Sequence, residues 1–152
     1  MTDVFKLVNW FRAVSNAQMR QYDADELSQM KVMKLLYYVQ GTYLAIHGEK
    51  AFANDILAWR YGPAIKAVHD KYAGKVSIVG QLATSDLADY NEVRQDDRLE
   101  PVLTAVWQAY GDMSAIQLMK KTHEEAPWLE TNQSQVISPG LMADFFKREI
   151  VL

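Results

Sequence analysis

The segment from Leu27 to Ile46 constrains the fold more than any other part of the chain. Leu27, Met30, Met33, Leu36, Tyr37, Val39, Tyr43, Leu44 and Ile46 recur at helical spacing, yet they cover more than one stripe. A helix apolar on one stripe can lie on a surface, whereas one apolar on several sides has to be surrounded. The pattern therefore predicts a central helix over about 26–47 with other elements packed around it. Asp23 and Glu26, three positions apart, read as a capping box opening this helix, and Gly48 as its end. Lys31 and Lys34 predict one wet edge along it.

The remaining sequence supplies the surrounding elements. Leu7, Val8, Trp10, Phe11 and Val14 form an amphipathic first helix, with Thr2 and Asp3 as N-cap residues. After a short segment at 54–59, Gly62 and Pro63 read as a turn, with Pro63 suited to the first turn of a helix carrying Ile65, Val68, His69 and Tyr72 and ending at Gly74. Residues 75–96 carry mixed signals: 76–79 reads as a short extended piece and 86–93 as a helical turn within a variable connector. Leu99, Val102, Leu103, Val106, Trp107 and Tyr110 resume the helical period, with Gly111 as a left-handed stop. Ser114 and Gln117 cap a helix through Leu118 that must end before Pro127, after which Trp128 packs. Ser138 and Pro139 open the last helix, through Leu141, Phe145, Phe146 and Ile150. With 152 residues, 49% of them hydrophobic, the chain can bury one substantial core. The expected fold is mainly α, a compact single-domain helical bundle spanning residues 1–152.

Charge and composition narrow the function classes. A formal net charge of −3 and dispersed cations give no general attraction to phosphate backbones, so nucleic acid is not the default partner. A local basic face would need Lys31, Lys34, Lys66, Lys71, Lys75, Lys120 and Lys121 to converge. The absence of cysteine removes disulfides, thiol catalysis and cysteine-ligated metals, and fits a cytoplasmic chain. Asp3, Lys6 and Arg12 interrupt the N-terminal apolar residues, unlike a signal peptide, and no run approaches the ~20 apolar residues that span a bilayer.

Chemistry is sparse. The three histidines, His47, His69 and His123, show no metal-binding spacing, and neither a glycine-rich phosphate loop nor a nucleophile elbow is present. The sequence thus predicts no metal, no cofactor and no enzyme, since neither His69 nor His123 has a partnered nucleophile. Asp96 with Asp97 and Glu124 with Glu125 read as solvated faces or caps, because neighbours on a helix do not face each other. His123, at a helix end, is placed to bond the last carbonyls. Trp59, Arg60 and Tyr61, followed by Gly62 and Pro63, concentrate at one turn the residue types that anchor protein interfaces, although the two aromatics could equally pack the turn onto the central helix.

Three ordered stretches carry a resemblance. Lys34-Leu35-Leu36-Tyr37-Tyr38-Val39-Gln40-Gly41, with Leu44 and Gly48, looks like a "KLLYYxQG" helix. Asp55 through Pro63 looks like an "AWxYGPV" turn, with Ala64 in place of the valine. Tyr110-Gly111, Ser114, Leu118 and Thr122-His123-Glu124-Glu125-Ala126-Pro127-Trp128 look like a "THxxxPW" ending. Together, over about 26–146, they resemble the Panacea, or SocA-like, antitoxin domain family, which is also phage-associated.

That resemblance implies a helical antitoxin of a two-gene toxin–antitoxin system, neutralising a cognate protein toxin encoded by an adjacent gene through direct binding. Members of the family can also act as adaptors that present the toxin to a protease. A DNA-binding transcriptional regulator of its own operon is the alternative reading. Carried over by motif position, Trp59, Arg60, Tyr61, His123 and Trp128 become expected partner contacts, with Lys31 and Lys34 on the wet edge, while Gly62, Pro63 and Pro127 are expected to be structural.

Overall fold

A computed structural model describes residues 1–22, 27–75 and 77–151, with the backbone alone at 19–22. Its centre is the helix that the apolar pattern demands. We label the helices α1 (Val4–Tyr22), α2 (Gln29–His47), α3 (Lys66–Lys71), α4 (Thr84–Arg94), α5 (Glu100–Tyr110), α6 (Ala115–His123), α7 (Ala126–Leu129) and α8 (Pro139–Glu149), with strands β1 (Leu57–Trp59) and β2 (Gly62–Ala64). Every residue of α2 from Val32 to Leu44 is buried. Around it pack α8, α5, α6, α1, α3 and β2, and one apolar cluster runs through all these layers.

The ends of α2 are set by local chemistry. Ser28 is extended, and its Oγ accepts from Lys31 N at 3.1 Å, so α2 starts three residues later than 26. The expected Asp23–Glu26 capping box lies outside the described residues. Gly48, the expected end, sits in the left-handed region at φ 69° and donates its N–H to Leu44 O at 2.9 Å. Within α2, Gly41 lets Phe146 of α8 lie directly on the helix backbone, because a Cβ at Gly41 would collide with that ring.

Elsewhere the expected caps hold, and three expectations need correction. Ser114 with Gln117 closes a capping box on α6, and Ser138 Oγ accepts from Leu141 N at 3.3 Å to open α8 at Pro139. Gly111, however, is right-handed at φ −61°. Its small size matters instead, since a Cβ there would strike the Trp107 carbonyl. Residues 77–79 form no strand, and Val76 is outside the described residues; the strands lie at 57–59 and 62–64. Pro63 is in β2 and opens no helix.

Long-range side-chain bonds explain the segment with mixed signals. Arg12 on α1 donates from Nε to Ile78 O at 2.6 Å and from Nη2 to Val79 O at 2.7 Å, and its Nη1 lies 3.2 Å from Asp86. Asn9 Nδ2 donates to Asp89 at 2.8 Å. The carbonyls at 78–79 are thus engaged by a distant arginine instead of a strand, and α4 becomes an 11-residue helix laid on α1.

Candidate functional site

The β1–β2 hairpin is built so that its tip stands out while its base is fixed. Antiparallel register pairs Leu57 with Ala64, Ala58 with Pro63 and Trp59 with Gly62, leaving Arg60 and Tyr61 as a two-residue loop. Proline is tolerated in β2 because it faces Ala58, whose N–H donates outward to Gln135 O at 2.9 Å and whose carbonyl accepts from Ser134 N at 2.7 Å. The ladder therefore requires no N–H from Pro63.

The α6–α7 elbow holds this hairpin down. Trp128 Nε1 donates to Trp59 O at 2.8 Å. The His123 ring stacks on Trp128 at 3.9 Å with 19° between planes, and His69 of α3 meets Trp59 edge-on at 5.0 Å. His123 therefore serves the hairpin instead of closing the carbonyls of α6. Burial lowers its pKa, with the charge of Lys34 acting the same way and the Arg60 backbone opposing both. Of the sequence-predicted contacts, Arg60 and Tyr61 are exposed, Tyr61 by 57%, with the Arg60 guanidinium 5.7 Å from the Tyr61 ring. Trp59, His123 and Trp128 are half-buried beneath them, and Gly62, Pro63 and Pro127 are buried.

The wet edge expected at Lys31 and Lys34 is absent. Lys34 is only 1% exposed. Its Nζ donates to Met30 O at 3.3 Å, and burial pulls its amine down to about 8. The hairpin sits on top of it: a Cβ on Gly62, whose φ is 110°, would lie 2.9 Å from Lys34 Cε and 3.1 Å from Thr122 Oγ1. Lys31 is half-buried, donating to Gly111 O and lying 5.6 Å from the Trp107 ring. Packing of β2 and α6 over Lys34, and of the end of α5 against Lys31, covers the edge that the pattern leaves polar.

The reading of Glu125 as solvated also fails, and with it the sequence missed a buried centre. Glu125 is 5% exposed and accepts from Tyr37 Oη at 3.0 Å and from Tyr38 Oη at 3.1 and 3.0 Å. Tyr110 stacks on Tyr38 at 4.0 Å. Glu124 and Glu125 do not share a helix: α6 ends at His123, and Glu125 is the extended residue preceding α7, so its side chain turns inward while Glu124 stays exposed. Desolvation raises the Glu125 carboxyl, with the two tyrosine bonds and Lys121 opposing it. Desolvation likewise raises both tyrosines, and Tyr110 to about 12. The adjacent pair Tyr37-Tyr38 on a fully buried helix was the available signal, since two interior hydroxyls need an acceptor.

This set ties α2 to the α6–α7 elbow, and the elbow in turn fixes the hairpin. Among the described residues no three potential metal ligands cluster, and no helix is long and apolar enough to cross a membrane. No curated protein and no solved structure matches the chain significantly. A family model does match, the one described as "Antitoxin SocA-like, Panacea domain", over residues 32–129, which takes in α2, the hairpin and the α6–α7 elbow. That match covers well over half of the sequence, and the chain belongs to the SocA-like antitoxin family, built on the Panacea domain.

Proposed function

We propose that this chain neutralises a cognate protein toxin by binding it directly in the cytoplasm, with the hairpin tip as the primary contact and no reaction of its own. Family membership implies the toxin partner. The observation that carries the reading to a location is the exposed Arg60–Tyr61 pair on a base fixed by Trp128, His123 and Ala58. Arginine and tyrosine dominate interface energetics, and a pair held on a rigid support loses little conformational freedom on binding. Trp59 and Trp128 form the support. Delivery of the captured toxin to a protease is compatible with the same contact.

Co-expression with the adjacent gene tests this. That gene should arrest growth alone and be harmless with this chain present, and the two proteins should co-purify. An adjacent product that is innocuous alone, or equally toxic with the chain present, removes the proposal.

A further inference from the structure

Lys34 departs from the rule that governs Arg12, which is also buried in this core. Arg12 has its guanidinium engaged by Ile78 O, Val79 O, Asn9 and Asp86. The Lys34 amine, with three donors, reaches a single acceptor at 3.3 Å, and among the described residues no carboxylate lies within ion-pair distance. A buried charge without a partner is costly to a fold, and residues that break local rules in this way concentrate at functional sites.

A second unpaired group lies beside it. His123 Nε2 is buried without a hydrogen-bond partner, and the ring is close enough to feel the charge of Lys34. Both lie under the hairpin tip, since Gly62 covers Lys34 and Arg60 touches His123 through its backbone. Arg60 carries its exposed guanidinium toward the Tyr61 ring at the same hairpin tip. A carboxylate beside the imidazole favours its protonated form, in which both nitrogens donate. The lysine and the histidine then offer charged donors suited to one carboxylate.

Resting on the antitoxin reading above, we propose that Lys34 and His123 form the floor of a carboxylate-binding site beneath the hairpin tip, filled by an Asp or Glu side chain of the toxin. Entry requires Gly62 to lift off Lys34. Ala58 donates to Gln135 O and accepts from Ser134 N at the hairpin's outer edge, bonds that need not break when Gly62 shifts. The toxin's carboxylate would then pair a charge that the free fold leaves uncompensated.

The test uses the full chain and the purified product of the adjacent gene. Lys34→Met should keep or raise the melting temperature of the free chain while weakening toxin binding by at least tenfold, and His123→Gln should weaken it in the same direction. If Lys34→Met binds as tightly as the wild type, the site falls and the antitoxin reading stands. If the wild type neither binds nor neutralises, the antitoxin reading itself falls. Parallel loss of stability and affinity in Lys34→Met makes Lys34 a packing residue and overturns the site. Should that variant not fold, NMR of the wild-type Lys34 side chain decides: its amine should become harder to deprotonate when the toxin is bound, and an unmoved titration refutes the proposal.

Discussion

Replacing Lys34 with methionine removes a buried ammonium while keeping nearly the same volume, and the free chain should become more stable. A fall of the amine from its ordinary 10.5 to about 8 on burial corresponds, at about 1.4 kcal/mol for each tenfold, to roughly 3 kcal/mol of destabilisation at neutral pH. Losing the long bond to Met30 O and substituting a thioether returns roughly 1 kcal/mol of this. The net gain is roughly 2 kcal/mol, or about 4–8 °C in melting temperature for a chain of this size. The pH dependence distinguishes this cause from simple repacking. Below pH 8 the amine is charged in both folded and unfolded chains, so the full cost is present. Between pH 8 and 10.5 the folded chain releases the proton first, and the wild type recovers stability relative to the variant. Tyrosine titration affects both proteins alike and cancels in the difference. Urea unfolding of the pair at pH 7 and pH 9.5 reads this directly. A variant less stable than wild type at pH 7, with the same difference at pH 9.5, would refute the reasoning.

Three further substitutions, at two positions, probe the frame of the site. Glu125→Gln keeps acceptors and donors for Tyr37 and Tyr38 but cannot ionise. Because burial raises the Glu125 carboxyl, the wild type has its full stability below the unfolded carboxyl value of 4.5 and loses part of it as pH rises through the folded one, so the glutamine variant should pull ahead toward neutrality in pH-dependent thermal melts. Glu125→Leu, which orphans two buried hydroxyls, should instead cost roughly 2–4 kcal/mol. Gly41→Ala should destabilise by roughly 1–3 kcal/mol in chemical denaturation, the reverse of the usual gain for glycine to alanine in a helix, because the new methyl meets the Phe146 ring.

How far the sequence could be read depended on the range of the interaction that decides each element. The helical period of 27–46, with apolar residues on more than one stripe, announces a surrounded helix, and Ser114, Ser138 with Pro139, and Gly48 place boundaries through bonds within four residues. Where the deciding partner is distant, the signal is mute. Arg12 orders 78–86 from more than sixty residues away, and nothing local in that stretch encodes it. Pro63 looks like a helix opener until Ala58 turns its bonding groups toward Ser134 and Gln135. Lys34 carries a charge, which argues for water, yet β2 and α6 close over it. The residues of the candidate site were legible as a motif, but their division into an exposed tip, Arg60 and Tyr61, and a supporting layer, Trp59, His123 and Trp128, emerged only in three dimensions.

Whether the exposed hairpin tip carries the toxin contact is read by calorimetric titration of the purified adjacent-gene product into the wild type and into Arg60→Ala/Tyr61→Ala. Tight binding is expected of the wild type and a loss of roughly a hundredfold, about 3 kcal/mol, in the double variant, with its melting temperature unchanged because both side chains project into solvent. Equal affinity in the two proteins would contradict it.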